Sequence, residues 1–240
     1  FALTQSEGRR VAVLVDEAHN LVEGARGMYS AELEQGALRA LRRSAAPVSP
    51  PLKLALDRLN RHWNALQREQ RTPYAASDAL PDAFVEALNR TLSTLTDLQA
   101  DQPALAAELA PSGADLQRFY FDALHFARLA ESFGPHSLFD ITLRPGRAPL
   151  PERPAASPLC IRNLVPAPHL QPRLAAAQAV VLFSATLSPQ AYHADLLGLP
   201  AKTAWIDVPS PFAARQLSVR VARHISTRWA DRSRSLAPIV

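Results

Sequence analysis

Val11-Ala12-Val13-Leu14-Val15-Asp16-Glu17-Ala18-His19 decides how the rest of this chain is read. Five apolar residues in a row, ending in two carboxylates, have the pattern of a short parallel strand buried on both faces. Val180-Val181-Leu182-Phe183 is a second run of the same kind, and it ends in Ser184-Ala185-Thr186. Two such strands predict an α/β fold.

The tetrad Asp16-Glu17-Ala18-His19 carries the sharpest chemical signal. By composition it is expected by chance about once in a thousand chains of this length. Nucleoside triphosphate hydrolysis needs this set of groups at a strand end. One carboxylate holds Mg2+ against the phosphates, and a neighbouring one orients and deprotonates the attacking water. Asp16 suits the metal role and Glu17 the water. Ala18 is small enough for a tight turn, and His19 is placed to point toward a neighbouring strand end. The plainer alternative is an acidic helix N-terminus, which the helix dipole favours. Ser184 and Thr186 supply hydroxyls that can hydrogen-bond His19, although such residues at strand ends also serve simply as turn formers.

Between the two runs the sequence changes character. Leu52, Leu56, Leu59, Trp63 and Leu66 fall at helical spacing, as do Phe84, Leu88, Leu92, Leu95 and Leu98. A third helix is predicted from Asp115 to Phe133, with Leu116, Phe119, Tyr120, Ala123 and Phe126 on one face and Ser112 as a cap. An all-α insert of four or five helices follows, covering roughly 30–135. Prolines then crowd from Pro145 to Pro172 and predict an irregular linker. Beyond the second run, a short helix over Ser188 to Leu197 ends at Gly198, and strands are expected over 204–208 and 217–222.

Composition sets the bounds. The chain has 240 residues, 48% of them hydrophobic and 20% charged, which excludes collagen-like, disordered and disulfide-scaffold classes. No apolar run reaches the roughly 20 residues of a membrane span, and 1–10 lack a signal-peptide layout. The single cysteine, Cys160, cannot form an internal disulfide, and a cytoplasmic location is the expectation. The sequence opens on Phe1 rather than Met and reads as a piece of something longer.

Together these residues resemble a known family. Asp16-Glu17-Ala18-His19 resembles motif II, and Ser184-Ala185-Thr186-Leu187-Ser188-Pro189 motif III, of superfamily 2 DNA helicases of the XPD/DinG type. Asp16 to Leu21, Met28-Tyr29-Ser30-Ala31-Glu32-Leu33 and Ser210-Pro211-Phe212 point to the bacterial DinG-like branch. The resemblance covers 8–33 and 159–235 and hardly constrains the middle. Family members insert a helical Arch domain between these two motifs, where this chain carries its helical stretch.

What the resemblance implies is a partial RecA-like motor domain with a parallel sheet, interrupted by an all-α Arch-like insert and followed by the start of a second RecA-like domain. The boundaries are 1–29 for a motor segment with motif II, 30–144 for the insert, and 145–172 for the proline-rich return linker. Residues 173–202 form a motor segment with motif III, and 203–240 begin motor domain 2. It also implies coupling of Mg2+-ATP hydrolysis to 5′ to 3′ translocation on single-stranded or forked DNA, in DNA repair. Catalytic roles fall to Asp16, Glu17 and His19, with Asp16 as the Mg2+ ligand, and coupling of nucleotide state to DNA falls to Ser184, Ala185 and Thr186. The sequence holds no phosphate-cradling G-x-x-x-x-G-K-S/T, so these 240 residues are not expected to hydrolyse ATP alone. Any iron–sulfur cluster of the intact protein would take upstream cysteines rather than Cys160, which reads as a small apolar residue.

Net charge is +4, and the cations are almost all arginine. Arg215, Arg220, Arg228 and Arg232, with Trp229 among them, are candidate DNA-binding residues, since arginine beside an aromatic suits backbone tracking and base stacking. An exposed, solvated face explains them equally well. Arg58, Arg61, Arg68 and Arg71, and the group Arg39, Arg42 and Arg43, read first as solvated helix faces. The alternative function from another class is a non-catalytic helical module that binds single-stranded DNA or a protein partner.

Overall fold

The computed structural model describes residues 8, 10–104, 114–143, 157–213, 216, 218–223, 225, 226 and 228–239. The chain divides into two compact units, Phe1–Thr203 and Ala204–Val240.

The first unit is α/β. Strand β1 (Ala12–Val15) runs into a 3-10 turn (Ala18–Asn20) and helix α1 (Leu21–Met28), followed by β2 (Ala31–Glu34). Helices α2 (Gln35–Val48) and α3 (Pro50–Glu69) lead to β3 (Tyr74–Ser77), and helices α4 (Asp82–Asp101) and α5 (Ala114–Glu131) to β4 (Ser137–Thr142). Strand β5 (Pro158–Asn163), helix α6 (Ala167–Ala175), strand β6 (Ala179–Leu182) and helix α7 (Gln190–Leu197) complete it.

β1 and β6 pair in parallel, with Val13 opposite Val180 and Val15 opposite Leu182. Both apolar runs are therefore strands, but burial on both faces is not what the structure has. Leu14 is 72% exposed and Val181 50% exposed. A two-stranded ribbon gives each strand a single neighbour, and among the described residues no further strand joins it.

The insert is not all-α. Strands β2, β5, β4 and β3, in that spatial order, form an antiparallel sheet. Leu33, Leu159 and Ile141 lie side by side across three strands, as do Ala31, Ile161 and Phe139, and this face joins the core. Helix α5 packs on β2 and β5, α4 packs on α5 and α3 on α4, and their apolar stripes join the same core. Ser49 caps α3, its hydroxyl accepting from Leu52 N at 3.4 Å, with Pro50 and Pro51 in the first turn, where a missing N–H costs nothing. Trp63 meets Phe84 edge-on at 5.4 Å, and Phe84 meets Phe126 at 6.1 Å, joining the three helices through aromatic packing. Each of these fully buried side chains contributes about 1.5–3 kcal/mol. The indole N–H of Trp63 donates to Ser157 Oγ at 3.2 Å, so the buried polar edge is satisfied.

The expected linker over 145–172 is corrected as well. Residues 144–156 lie outside the described residues, but β5 is a central strand of the antiparallel sheet and α6 follows it. Pro158 and Pro168 do not break structure because of where they stand, whereas Pro172 lies inside its helix. Pro158 is the first residue of its strand and Pro168 lies in the first turn of its helix, positions that need no ladder N–H. Helix α7 ends as expected at Gly198, whose φ is +66°.

In the second unit the regular elements among the described residues are a 3-10 turn (Trp229–Asp231) and helix α8 (Arg232–Ile239). The strands expected over 204–208 and 217–222 are absent from the described residues of those stretches, Leu217 lying outside them. Ile206, Val208, Val219 and Val221 are exposed. Alternating apolar residues form a strand only where a neighbour takes up the backbone N–H and C=O groups.

Candidate active site

The end of β1 is built by its pairing with β6. Phe183 N donates to Val15 O at 3.0 Å, and Ala18 N donates to Phe183 O at 3.1 Å, so the ladder runs into the turn itself. Ala18 is fully buried there, which is why the position takes a residue without a longer side chain. Between them, Glu17 adopts the left-handed conformation (φ 50°, ψ 40°), unusual for a residue with a side chain. A strained backbone of this kind persists only where surrounding contacts hold it. Here the ladder on one side and the Ala18–Asn20 turn on the other do so.

This turn brings the two sequence motifs together. His19 Nδ1 and Ser184 Oγ are 2.8 Å apart, and the same nitrogen lies 3.2 Å from Glu17 Oε2. A carboxylate only accepts, so the Glu17 contact is favourable with the proton on Nδ1, which is then shared between Glu17 and Ser184. Ser184 Oγ also accepts from Thr186 N at 3.3 Å. Asp16 Oδ1 accepts from Glu17 N at 2.7 Å, which fixes the Asp16 side chain beside the turn. Asp16, Glu17, Ala185 and Thr186 are exposed, and His19 and Ser184 half-buried.

The donor set fits a magnesium ion better than a softer metal. Among the described residues no group of three or more His, Cys, Asp or Glu could enclose a metal. Mg2+ does not need such a cage, because it keeps several waters and is held by one or two carboxylates together with substrate phosphates. Asp16, with one oxygen engaged by backbone and the residue open to solvent, suits that role.

The other candidates stand elsewhere. Arg220, Arg228 and Trp229 are exposed in the second unit. Arg215 lies outside the described residues, and of Arg232 only the backbone, at the start of α8, is described. Cys160 is buried and its Sγ donates to Glu32 Oε2 at 3.4 Å. Burial, with Asp140 and Glu32 adding repulsion, pushes its thiol up to about 12, so it is inert.

One constellation is invisible in the sequence. Tyr29 at the end of α1 stacks on His169 of α6 at 4.1 Å, His136 meets His169 edge-on at 4.9 Å, and Arg173 lies over the Tyr29 ring. Burial, then the neighbouring His136, holds the His169 imidazole below the usual histidine range. These four residues are scattered from 29 to 173, and no spacing rule connects them. No protein-family model matches the chain, and no curated protein matches it.

Proposed function

We propose that this chain is part of an ATP-dependent DNA helicase of the XPD/DinG type, coupling ATP hydrolysis to movement along single-stranded DNA. The observation that carries the reading is the juxtaposition of Asp16-Glu17-Ala18-His19 and Ser184-Ala185-Thr186 at adjacent ends of two parallel strands, joined by the 2.8 Å contact of His19 with Ser184.

In this reading Asp16 is the magnesium ligand, and the ion supplies charge neutralisation for the β- and γ-phosphates when bound. Glu17 orients the attacking water and takes its proton. The left-handed backbone at Glu17 aims that carboxylate, and the His19 ring restrains it from the side. Ser184 senses the same ring, so a change in charge at Glu17 alters a hydrogen bond at the end of β6. The phosphate cradle and the remaining motor motifs belong to other parts of the intact enzyme. Asp16→Asn in that enzyme abolishes magnesium-dependent ATP hydrolysis while leaving the thermal midpoint unchanged, since the side chain is exposed. Undiminished hydrolysis in this variant rules the assignment out.

A further inference from the structure

Helices α3 and α4 pack along their length, and their outer faces leave a groove. Its two depressions, of about 320 and 230 Å3, share Arg58, Ala87 and Arg90 and so form one continuous feature. The groove follows helical spacing on both sides. On α3, Pro51, Leu54, Arg58 and His62 succeed each other one turn apart, away from the core stripe of Leu52, Leu56, Leu59 and Trp63. On α4, Ala83, Ala87, Arg90 and Thr94 do the same, away from Phe84, Leu88 and Leu95.

The floor is apolar and low. Pro51, Leu54, Ala55 and Ala87 line it, and Leu54 is 60% exposed. Its rim is cationic and unneutralised on one side. Arg90 is paired with Glu86, and the nearby Asp57 is already engaged by Arg42 and Lys53. Arg58 and His62, which line the groove, have no carboxylate partner among the described residues, nor has the exposed Arg61 beside them. An exposed leucine beside unpaired arginines is complementary to a ligand that is apolar at one point and acidic one turn away.

We propose that this groove docks an acidic amphipathic helix of a protein partner, with an apolar side chain seated over Leu54 and Ala87 and carboxylates on Arg58 and Arg61. The alanines favour a helix, because side chains without bulk let its backbone approach closely. They disfavour single-stranded nucleic acid, which takes most of its sequence-tolerant affinity from stacking on aromatic residues, and the groove contains none. This surface is separate from the turn at Asp16, and its role stands or falls independently of the nucleotide reading.

The test uses the whole chain and two fluorescent probes followed by anisotropy. One is a helical peptide of about 20 residues with leucine at every third or fourth position and glutamate between; the other is an oligothymidine of about 20 nucleotides. The peptide binds, more weakly as salt rises. Leu54→Ser and Arg58→Glu each weaken it about tenfold, as expected for residues at the centre of an interface. Both side chains are exposed, so the thermal midpoint stays put. A peptide with lysine replacing glutamate binds Arg58→Glu better than it binds the native chain. Peptide binding unaffected by either variant overturns the proposal, as does a groove that binds only the oligonucleotide and loses it in both variants.

Discussion

His19 Nδ1 lies 2.8 Å from Ser184 Oγ across 165 residues of chain, and 3.2 Å from the Glu17 carboxylate. One ring nitrogen thus ties the acidic turn after β1 to the hydroxyl turn after β6. The pairing of the strands sets the distance, since β1 and β6 are adjacent and parallel and end level with each other. The Nδ1–H tautomer follows from the carboxylate contact. Nitrogen-15 NMR of the His19 ring is expected to show the proton on Nδ1 in the native chain. Ser184→Ala leaves Glu17 as the remaining acceptor and lowers stability by about 0.5–1.5 kcal/mol in urea denaturation.

Asp140 is fully buried on the outward face of the antiparallel sheet, and Arg162 of the next strand pairs with it through both Nε and Nη2. The Asp140 carboxylate raises the Arg162 pKa further above its usual range. Arg162→Leu strands a buried carboxylate and is expected to destabilise the first unit by about 3 kcal/mol, the arginine being half-exposed. Asp140→Asn combined with Arg162→Leu recovers most of that loss. Equal midpoints for the single and double variants in denaturant would show that the pair has no such role.

Two glycines should respond to alanine with opposite signs. Gly198 has φ +66°, and a Cβ there would come within 3.0 Å of Gln171 Cβ and 3.2 Å of Ala167 Cβ. Gly198→Ala therefore costs about 1–2 kcal/mol from the left-handed backbone alone. Gly24 lies inside α1, with nothing within 4 Å of an added Cβ. Gly24→Ala stabilises by about 0.5–1 kcal/mol, because alanine loses less backbone entropy in a helix. Thermal midpoints of the two variants check both signs.

His169 gives a pH dependence with a definite direction. Its folded-state pKa is lowered by burial and by His136, so the unfolded chain binds the proton more readily. Stability contributed this way is present above the ordinary histidine value of about 6.5 and is lost as pH falls through that value toward the lower folded one. Arg173 and Tyr29 face the same ring system and leave the sign unchanged. Asn in place of His169 flattens the slope of thermal midpoint against pH between about 7.5 and 5 relative to the native chain. A steeper slope in the variant contradicts the assignment.

Much of the fold was legible where a single period ran long enough. The stripes of α3 and α4 repeat over about four turns, and both apolar runs pair as parallel strands. The antiparallel sheet was hidden for local reasons. β2 and β3 are four residues each, β3 is Tyr-Ala-Ala-Ser with no β-branched residue, and β5 opens on a proline inside a proline-dense stretch. Length separates a strand from a helix only when the run is long enough to show a period. At the site, residue types and the reach of His19 toward β6 could be read from the motifs. The left-handed Glu17 could not, because nothing in Val-Asp-Glu-Ala announces a positive φ.

The measurement that tests the central claim most directly is DNA-stimulated ATP hydrolysis by the intact protein carrying Glu17→Gln. The substitution keeps the side chain's shape and removes its ability to take a proton. The predicted result is retained nucleotide binding with hydrolysis reduced at least a hundredfold, the scale of a lost general base. Hydrolysis within a few fold of the native protein, at equal nucleotide affinity, would contradict the account.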